Sequence, residues 1–219
     1  MAKVLHRIAG GVAWRSRRLY ARGVRCLAPV RQRAWDMAVW LEMMRETEPG
    51  IDDYARRVNA LHRRLRVPRN YGGCGRPFYR EASDLVPVPG FDGKPCLMTQ
   101  ATRSQWLAMQ AAAAAAGITL LIRSAFRTVD EQAHLIREEL RDGCRIDEVL
   151  TRISAPGYSE HHTGRALDID CIPGNREFDN TPAFEWLYRN AGTFGFELSY
   201  PRDNPYGVIF EPWHWRCNV

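Results

Sequence analysis

From residue 99 onward, short apolar runs alternate with amphipathic stretches that carry their own start and stop signals, and this alternation limits the fold more than any other feature. Thr102-Arg-Ser-Gln105 reads as a capping box that opens a helix through Trp106, Met109 and an alanine run, with Gly117 as its stop. Ile118 to Ile122 then reads as a buried strand. Thr128-Val-Asp-Glu131 is a second capping box, and Gln132, Leu135, Ile136 and Leu140 continue a helix that Gly143 ends. Pro156-Gly157 marks a loop, Ala166 to Asp170 alternates like a strand, and Pro182 to Asn190 reads as a short helix. Val208 to Phe210 leads a last strand into Glu211-Pro-Trp-His-Trp215. Helices interleaved with strands this short predict an α+β fold, a small mainly antiparallel sheet flanked by helices.

The chain before this region is of a different kind. Met37, Trp40, Leu41 and Met44 predict one amphipathic helix, and Tyr54, Val58, Leu61 and Leu65 a second, with faces that suit core packing. Val67 to Lys94 is rich in proline and glycine and reads as loop. We therefore divide the 219 residues into a basic tail (1–35), a helical extension and loop (36–98) and a C-terminal domain (99–219).

Charge follows the same division. Residues 1–35 hold Lys3 and eight arginines without an acid, so they carry +9 while the whole chain carries +6 and the remainder −3. The basic balance thus belongs to the tail. Val4, Ile8 and Val12 could lay an apolar stripe against its arginines and suit membrane-surface contact; a solvated basic extension is the reading we favour. Ser16-Arg17-Arg18 is followed by Arg22, Arg25 and Arg31 where an export signal needs an apolar stretch, so no conventional signal peptide is expected. No run reaches the roughly 20 apolar residues of a spanning helix. The six cysteines lie at least 22 positions apart, which speaks against a thiolate zinc site and favours reduced core cysteines over a disulfide framework.

Two histidine clusters carry the chemistry. Ser159-Glu-His161-His162-Thr-Gly164-Arg-Ala166-Leu-Asp168 sets an imidazole and a carboxylate seven apart across a glycine, and Glu211-x-x-His214 adds a second of each. Two neutral imidazoles and one carboxylate leave Zn²⁺ a net positive charge and one open position for water, as a hydrolytic site requires. The remaining carboxylate can then take the proton of that water. On this ground alone His161 and His162 are equivalent, as are Asp168 and Asp170, which point to one face of a strand.

These residues resemble a known family. Ser-x-His-x-x-Gly-x-Ala-x-Asp followed by Glu-x-Trp-His is the signature of VanY-type D-alanyl-D-alanine carboxypeptidases, part of a wider zinc-site group that includes lysostaphin-type peptidases and the Hedgehog signalling domain. The likeness spans about residues 99–219, including Ser124-Ala-Phe-Arg127 and Phe194-Gly-Phe196. It implies that His161, Asp168 and His214 hold zinc, with His162 and Asp170 around them. It implies Glu211 as catalytic base, Arg127 as a catalytic residue that binds substrate and steadies the oxyanion, and Ser159 and Gln132 as substrate-binding residues. The implied reaction is hydrolysis of the terminal D-Ala-D-Ala bond of a peptidoglycan stem peptide. Such a substrate predicts the cell envelope, although an enzyme trimming recycled wall peptides in the cytoplasm is the alternative.

Where relatives often place tyrosines before the base, this chain has Val208 and Phe210, which bears on substrate preference. An L,D-carboxypeptidase or endopeptidase on cell-wall peptides is the first rival, and a non-catalytic zinc- or peptidoglycan-binding module the second. Glu211 beside a complete ligand set argues against the latter. No recognition motif accompanies the arginine tail, so no nucleic-acid partner is expected.

Overall fold

The computed structural model describes residues 52–171 and 177–219, so the basic tail and the helix expected around Met37 to Met44 lie outside the described residues. The chain enters through α1 (Asp53–Leu65), whose N-cap Asp52 accepts from the Ala55 N–H and whose Val58, Leu61 and Leu65 are buried. The stretch expected as loop holds the first arm of a hairpin, β1 (Leu85–Pro89), paired antiparallel with β2 (Pro95–Thr99) just beyond it. Pro87 and Pro89 are two apart on β1, so their missing N–H groups fall on one edge, where the ladder needs no donor.

Helix α2 (Gln100–Ala115) follows without a break. Its cap is Thr99, three residues before the expected box: the Thr99 hydroxyl accepts from Thr102 N–H at 3.2 Å, and Thr102 is buried within the first turn. The end of β2 supplies the extended backbone that a cap requires, which local sequence around Thr102 does not reveal. Gly117 ends α2 with φ +77°, as expected. The next strand, β3 (Leu120–Ser124), starts two residues later than predicted, because the Ile118 N–H closes the helix on the Ala113 carbonyl at 2.9 Å.

Helix α3 (Val129–Arg141) carries the predicted capping box in full: Thr128 accepts from Glu131 N–H, and Glu131 accepts from Thr128 N–H. A single turn, α4 (Ile146–Val149), leads to β4 (Ala166–Cys171), and α5 (Pro182–Asn190) matches the expected short helix. Strands β5 (Phe196–Leu198) and β6 (His214–Cys217) complete a four-stranded antiparallel sheet in the order β3-β4-β6-β5. Val208 to Phe210 is not a strand. Ile209 N–H goes to Thr151 O, Val208 O accepts from the Asn204 amide, and Glu211 N–H goes to Tyr200 O, so this backbone is spent on loops.

Apolar burial falls into two clusters. One packs Trp106 and Met109 of α2 and Leu187 of α5 against Leu120, Ile122, Leu167, Ile169, Phe196 and Trp215 of the sheet. The other joins Val58, Leu61 and Leu65 of α1 to Val129, Ala133 and Ile136 of α3 and to Val149 and Leu150. The segment read as an extension therefore packs directly on α3. Among the described residues, no disulfide joins Cys96, Cys144, Cys171 or Cys217, and no helix is long and apolar enough to cross a membrane.

Candidate metal centre

The site is built where β4 meets β6 and a 3-10 turn (Glu160–Thr163) docks beside them. Gly164 ends that turn with φ +64°, and a Cβ there would stand 2.8 Å from Leu85 Cδ2, so both conformation and space call for glycine. In the β4–β6 ladder Asp168 is the direct partner of His214, while a register shift in β3 brings Ser124 opposite Asp168. His161 swings in from the turn. Its Nε2 stands 3.3 Å from Asp168 Oδ1, and His214 Nδ1 stands 3.1 Å from the same oxygen.

Hydrogen bonding sets the two histidines and the two aspartates apart. His161 donates through Nδ1 to the Ala125 carbonyl at 2.6 Å, which leaves Nε2 with its lone pair toward Asp168. His162, fully buried, has both nitrogens engaged: Nε2 accepts from Gly157 N–H at 3.1 Å and Nδ1 donates to the Arg127 carbonyl at 2.6 Å. Asp170, one rung further along β4, is ion-paired with Arg123 and accepts from Cys171 N–H. His161, Asp168 and His214 therefore converge, with one potential ligand atom each, all within 4.8 Å of one another. His162 and Asp170 stand outside that group.

The donor set suits zinc. Metal–ligand distances of 2.0–2.2 Å in a tetrahedron put neighbouring donors about 3.3 Å apart, close to the two separations from Asp168 Oδ1. The other ring nitrogen of His161 lies on a carbonyl and that of His214 on a carboxylate, outer hydrogen bonds of the kind that would fix a ligand ring. In the metal-free protein, burial disfavours protonated His214, but hydrogen bonds to Asp168 and Glu160 outweigh it and raise the ring to about 10. A cation held among these atoms would take the place of that proton. Burial lowers His161 and pushes His162 down to about 4, so both rings are neutral at pH 7. Burial would raise Asp168, yet the two adjoining imidazoles hold it far below the usual carboxylate range.

Glu211 lies at the turn into β6, its Oε2 3.9 Å from His214 Nδ1. Burial, reinforced by Asp168 and Glu160, pushes its carboxyl up to about 8. Arg127, in the loop between β3 and α3, donates to Gln132 Oε1 at 2.9 Å and Ser124 Oγ at 2.8 Å and stands 3.8 Å from Asp168 Oδ2. Gln132 is 1% exposed and spends its amide on the Ser154 carbonyl, so it bridges Arg127 to the loop at 154. Ser159 is buried at the start of the 3-10 turn, its carbonyl accepting from His162 N–H. Trp215 packs in the core with its indole N–H on Pro212 O, and Trp213 packs against the same cluster.

One residue escaped the sequence reading. Glu160 is 5% exposed, and its Oε2 accepts from His214 Nε2 at 3.0 Å and from Ser199 Oγ at 2.6 Å. Arg216 reaches its other oxygen at 3.2 Å. Burial works against its charge, but the hydrogen bond from His214 and the charges around it draw the carboxyl down to about 2. A glutamate beside a histidine in a polar turn carries no periodic signal; only the fold brings it under His214.

Comparison with known proteins agrees with this geometry. The family described as "VanY: D-alanyl-D-alanine carboxypeptidase" matches residues 96–218. A D-alanyl-D-alanine carboxypeptidase of Enterococcus faecalis is 33% identical over 115 residues, which cover 48% of this chain and 42% of the relative. The chain thus spans less than half the length of that protein. Among solved structures, the LdcB LD-carboxypeptidase superposes with a TM-score of 0.56 at 29% identity, over 64% of this chain and 71% of that one. VanYB in complex with D-alanine-D-alanine gives 0.55 at 26%, over 65% and 82%. A mutant of the D,D-pentapeptidase VanY, from a VanB-type resistance cassette and in complex with Zn(II), gives 0.51 at 26%, over 62% and 80%.

Proposed function

Because the chain belongs to the VanY D-alanyl-D-alanine carboxypeptidase family, we propose that it is a zinc peptidase that removes the terminal D-alanine from peptidoglycan stem peptides ending in D-Ala-D-Ala. The observation that carries the reading is the convergence of His161 Nε2, Asp168 Oδ1 and His214 Nδ1 with the Glu211 carboxylate beside them. Zinc held by the three would supply a Lewis acid for the scissile carbonyl and the attacking water. Relatives support the substrate class: VanYB was solved with D-alanine-D-alanine, and a VanY mutant with Zn(II).

In this reading the chain's own groups divide the work. Glu211, with its proton affinity raised into the neutral range, takes a proton from the water and returns it to the leaving amine. Arg127 is pre-oriented by Gln132 and Ser124, so its guanidinium meets the developing oxyanion with little reorganisation. Gln132 acts on substrate through Arg127, and Ser159, buried just before the ligand turn, is the remaining substrate-binding residue. The likeness to an LD-carboxypeptidase keeps a second reading in view, cleavage after a single D-Ala.

The test is zinc content of the purified protein together with mass spectrometry of products from two muropeptides, one ending in D-Ala-D-Ala and one in a single D-Ala. Stoichiometric zinc and loss of one alanine from the first substrate, abolished by a chelator and restored by Zn²⁺, is the expected result. Loss of alanine from the second substrate alone would assign the L,D reaction instead. Hydrolysis insensitive to chelation would remove the basis of the reading.

A further inference from the structure

Residues 76–82 precede the family-matched region, yet they are tied to the metal-ligand turn at several points. Tyr79 N–H donates to Gly157 O at 2.7 Å and Ala82 N–H to His162 O at 2.8 Å, so the segment runs along the loop that carries His161. Glu81 Oε1 accepts from Val129 N–H at 2.6 Å, at the first turn of the helix that holds Gln132. Tyr54 of α1 fastens the segment from the far side through its hydroxyl on Tyr79 O at 2.9 Å. The Tyr79 hydroxyl itself turns inward to Glu160 Oε1 at 3.4 Å.

Glu160 is where these contacts converge. Its two oxygens receive four donors: the His214 ring, the Ser199 hydroxyl, the Arg216 guanidinium and the Tyr79 hydroxyl. A carboxylate has about four lone-pair sites, so each donor narrows its rotation, and a buried carboxylate must have these sites filled. Held in that way, it accepts from His214 Nε2 and aims Nδ1 at Asp168. A carboxylate behind a ligand histidine fixes the ring tautomer, orients the ring and raises its basicity.

We propose that residues 76–82 act as a strap that sets the His214 ligand through Glu160, which makes Glu160 and Tyr79 positioning residues of the metal site and extends the functional unit upstream of residue 96. The proposal rests on the zinc reading above. It differs from a packing role, in which Glu160 merely neutralises half-buried Arg216 and its loss lowers stability without altering metal binding.

The experiment compares wild type, Glu160→Gln and Tyr79→Phe in the full chain. It measures zinc affinity by chelator competition, the visible absorption spectrum of the Co²⁺-substituted protein and the metal-free melting temperature. Glu160→Gln keeps the shape and one acceptor but loses the charge; zinc affinity should fall about tenfold to a hundredfold, with a changed cobalt spectrum. Tyr79→Phe keeps the ring and removes one long hydrogen bond; affinity should fall about threefold with the melting temperature unchanged, so it carries the test even should the first variant fold poorly. Wild-type affinity and spectrum in Tyr79→Phe, or in folded Glu160→Gln, would overturn the proposal. A wild-type protein that takes up no zinc would instead defeat the zinc reading on which it rests, a result visible before any variant is made.

Discussion

The helical half and the sheet half of the molecule are assembled on different principles. Around α1 and α3, stability comes from Val58, Leu61, Leu65, Val129, Ala133 and Ile136 closing on one another, with polar groups mostly at caps and the surface and Gln132 a buried exception on α3. Around β4 and β6, Glu160, His161, His162, Asp170, Glu211 and His214 are all buried, and each is tolerable only through its neighbours. A helix packed by apolar burial can lose a side chain and keep its architecture. A cluster of buried charges that loses one member leaves the others unpaired. Stability and chemistry should therefore separate by region when single residues are changed.

The sharpest way to break that division pairs His214→Ala with Leu65→Ala. Removing His214 deletes a proposed ligand atom and leaves Glu160 and Asp168 without their shared partner; zinc binding and hydrolysis should both be lost, measured by metal content and alanine release. Leu65 is 2% exposed in the helical half, and Leu65→Ala should cost about 2–5 kcal/mol of unfolding free energy while zinc affinity and turnover per folded molecule stay at wild-type values. A large fall in zinc affinity in folded Leu65→Ala would show that the two halves are not separable.

The next effect is smaller and depends on pH. Glu211, pushed up to about 8 from an ordinary 4.5, binds its proton more tightly folded than unfolded. Its contribution is therefore whole below about pH 4.5 and is lost as pH rises through about 8. His214, raised to about 10, loses its contribution in the same sense at higher pH, whereas Glu160, at about 2, loses its own only as the solution turns acid. Subtracting stability curves isolates one group: metal-free Glu211→Gln should match wild type near pH 4 and exceed it at pH 8 by on the order of a few kcal/mol. Zinc should shrink the gap, because a nearby cation favours the ionised carboxylate. Denaturant titrations at the two pH values, with and without metal, check this; a variant no more stable than wild type at pH 8 without metal would show that Glu211 is not held against its solvation.

How much of this was legible in the sequence follows the same regional split. Spacing alone revealed α1 and α3, because amphipathic periodicity and the Thr128–Glu131 box are local. The histidine clusters were legible as chemistry, but residue types left His161 against His162 and Asp168 against Asp170 open; the resemblance singled out one of each, and in the fold they differ through hydrogen bonds with residues far along the chain, Ala125, Arg127 and Arg123. The β1–β2 hairpin was hidden by its prolines, and Thr99 by a strand whose end doubles as a helix cap. Val208 to Phe210 has the composition of a strand, yet its hydrogen bonds go to Thr151 and Asn204, and composition does not reveal a missing partner. Glu160 lay in plain view next to His161, and nothing in its neighbours showed that it would meet a histidine 54 positions away.

The smallest effect tests the one element that belongs to both halves. Helix α3 packs into the helical cluster through Val129, Ala133 and Ile136, while Gln132 on the same first turn holds the Arg127 guanidinium at 2.9 Å. Its start is set by the Thr128 cap, in which Glu131 N–H reaches the Thr128 hydroxyl at 3.2 Å and the hydroxyl itself donates to the Glu131 carboxylate at 2.8 Å. Thr128→Ala removes both and should cost about 1 kcal/mol. Fraying there shifts Gln132, so kcat should fall by a few-fold while zinc affinity is unchanged, since none of the three proposed ligands lies on α3. Unchanged kcat with the expected loss of stability would assign α3 wholly to the scaffold. Lost zinc affinity would mean that the first turn of α3 also governs the ligand turn, through the Arg127 carbonyl that His162 holds at 2.6 Å.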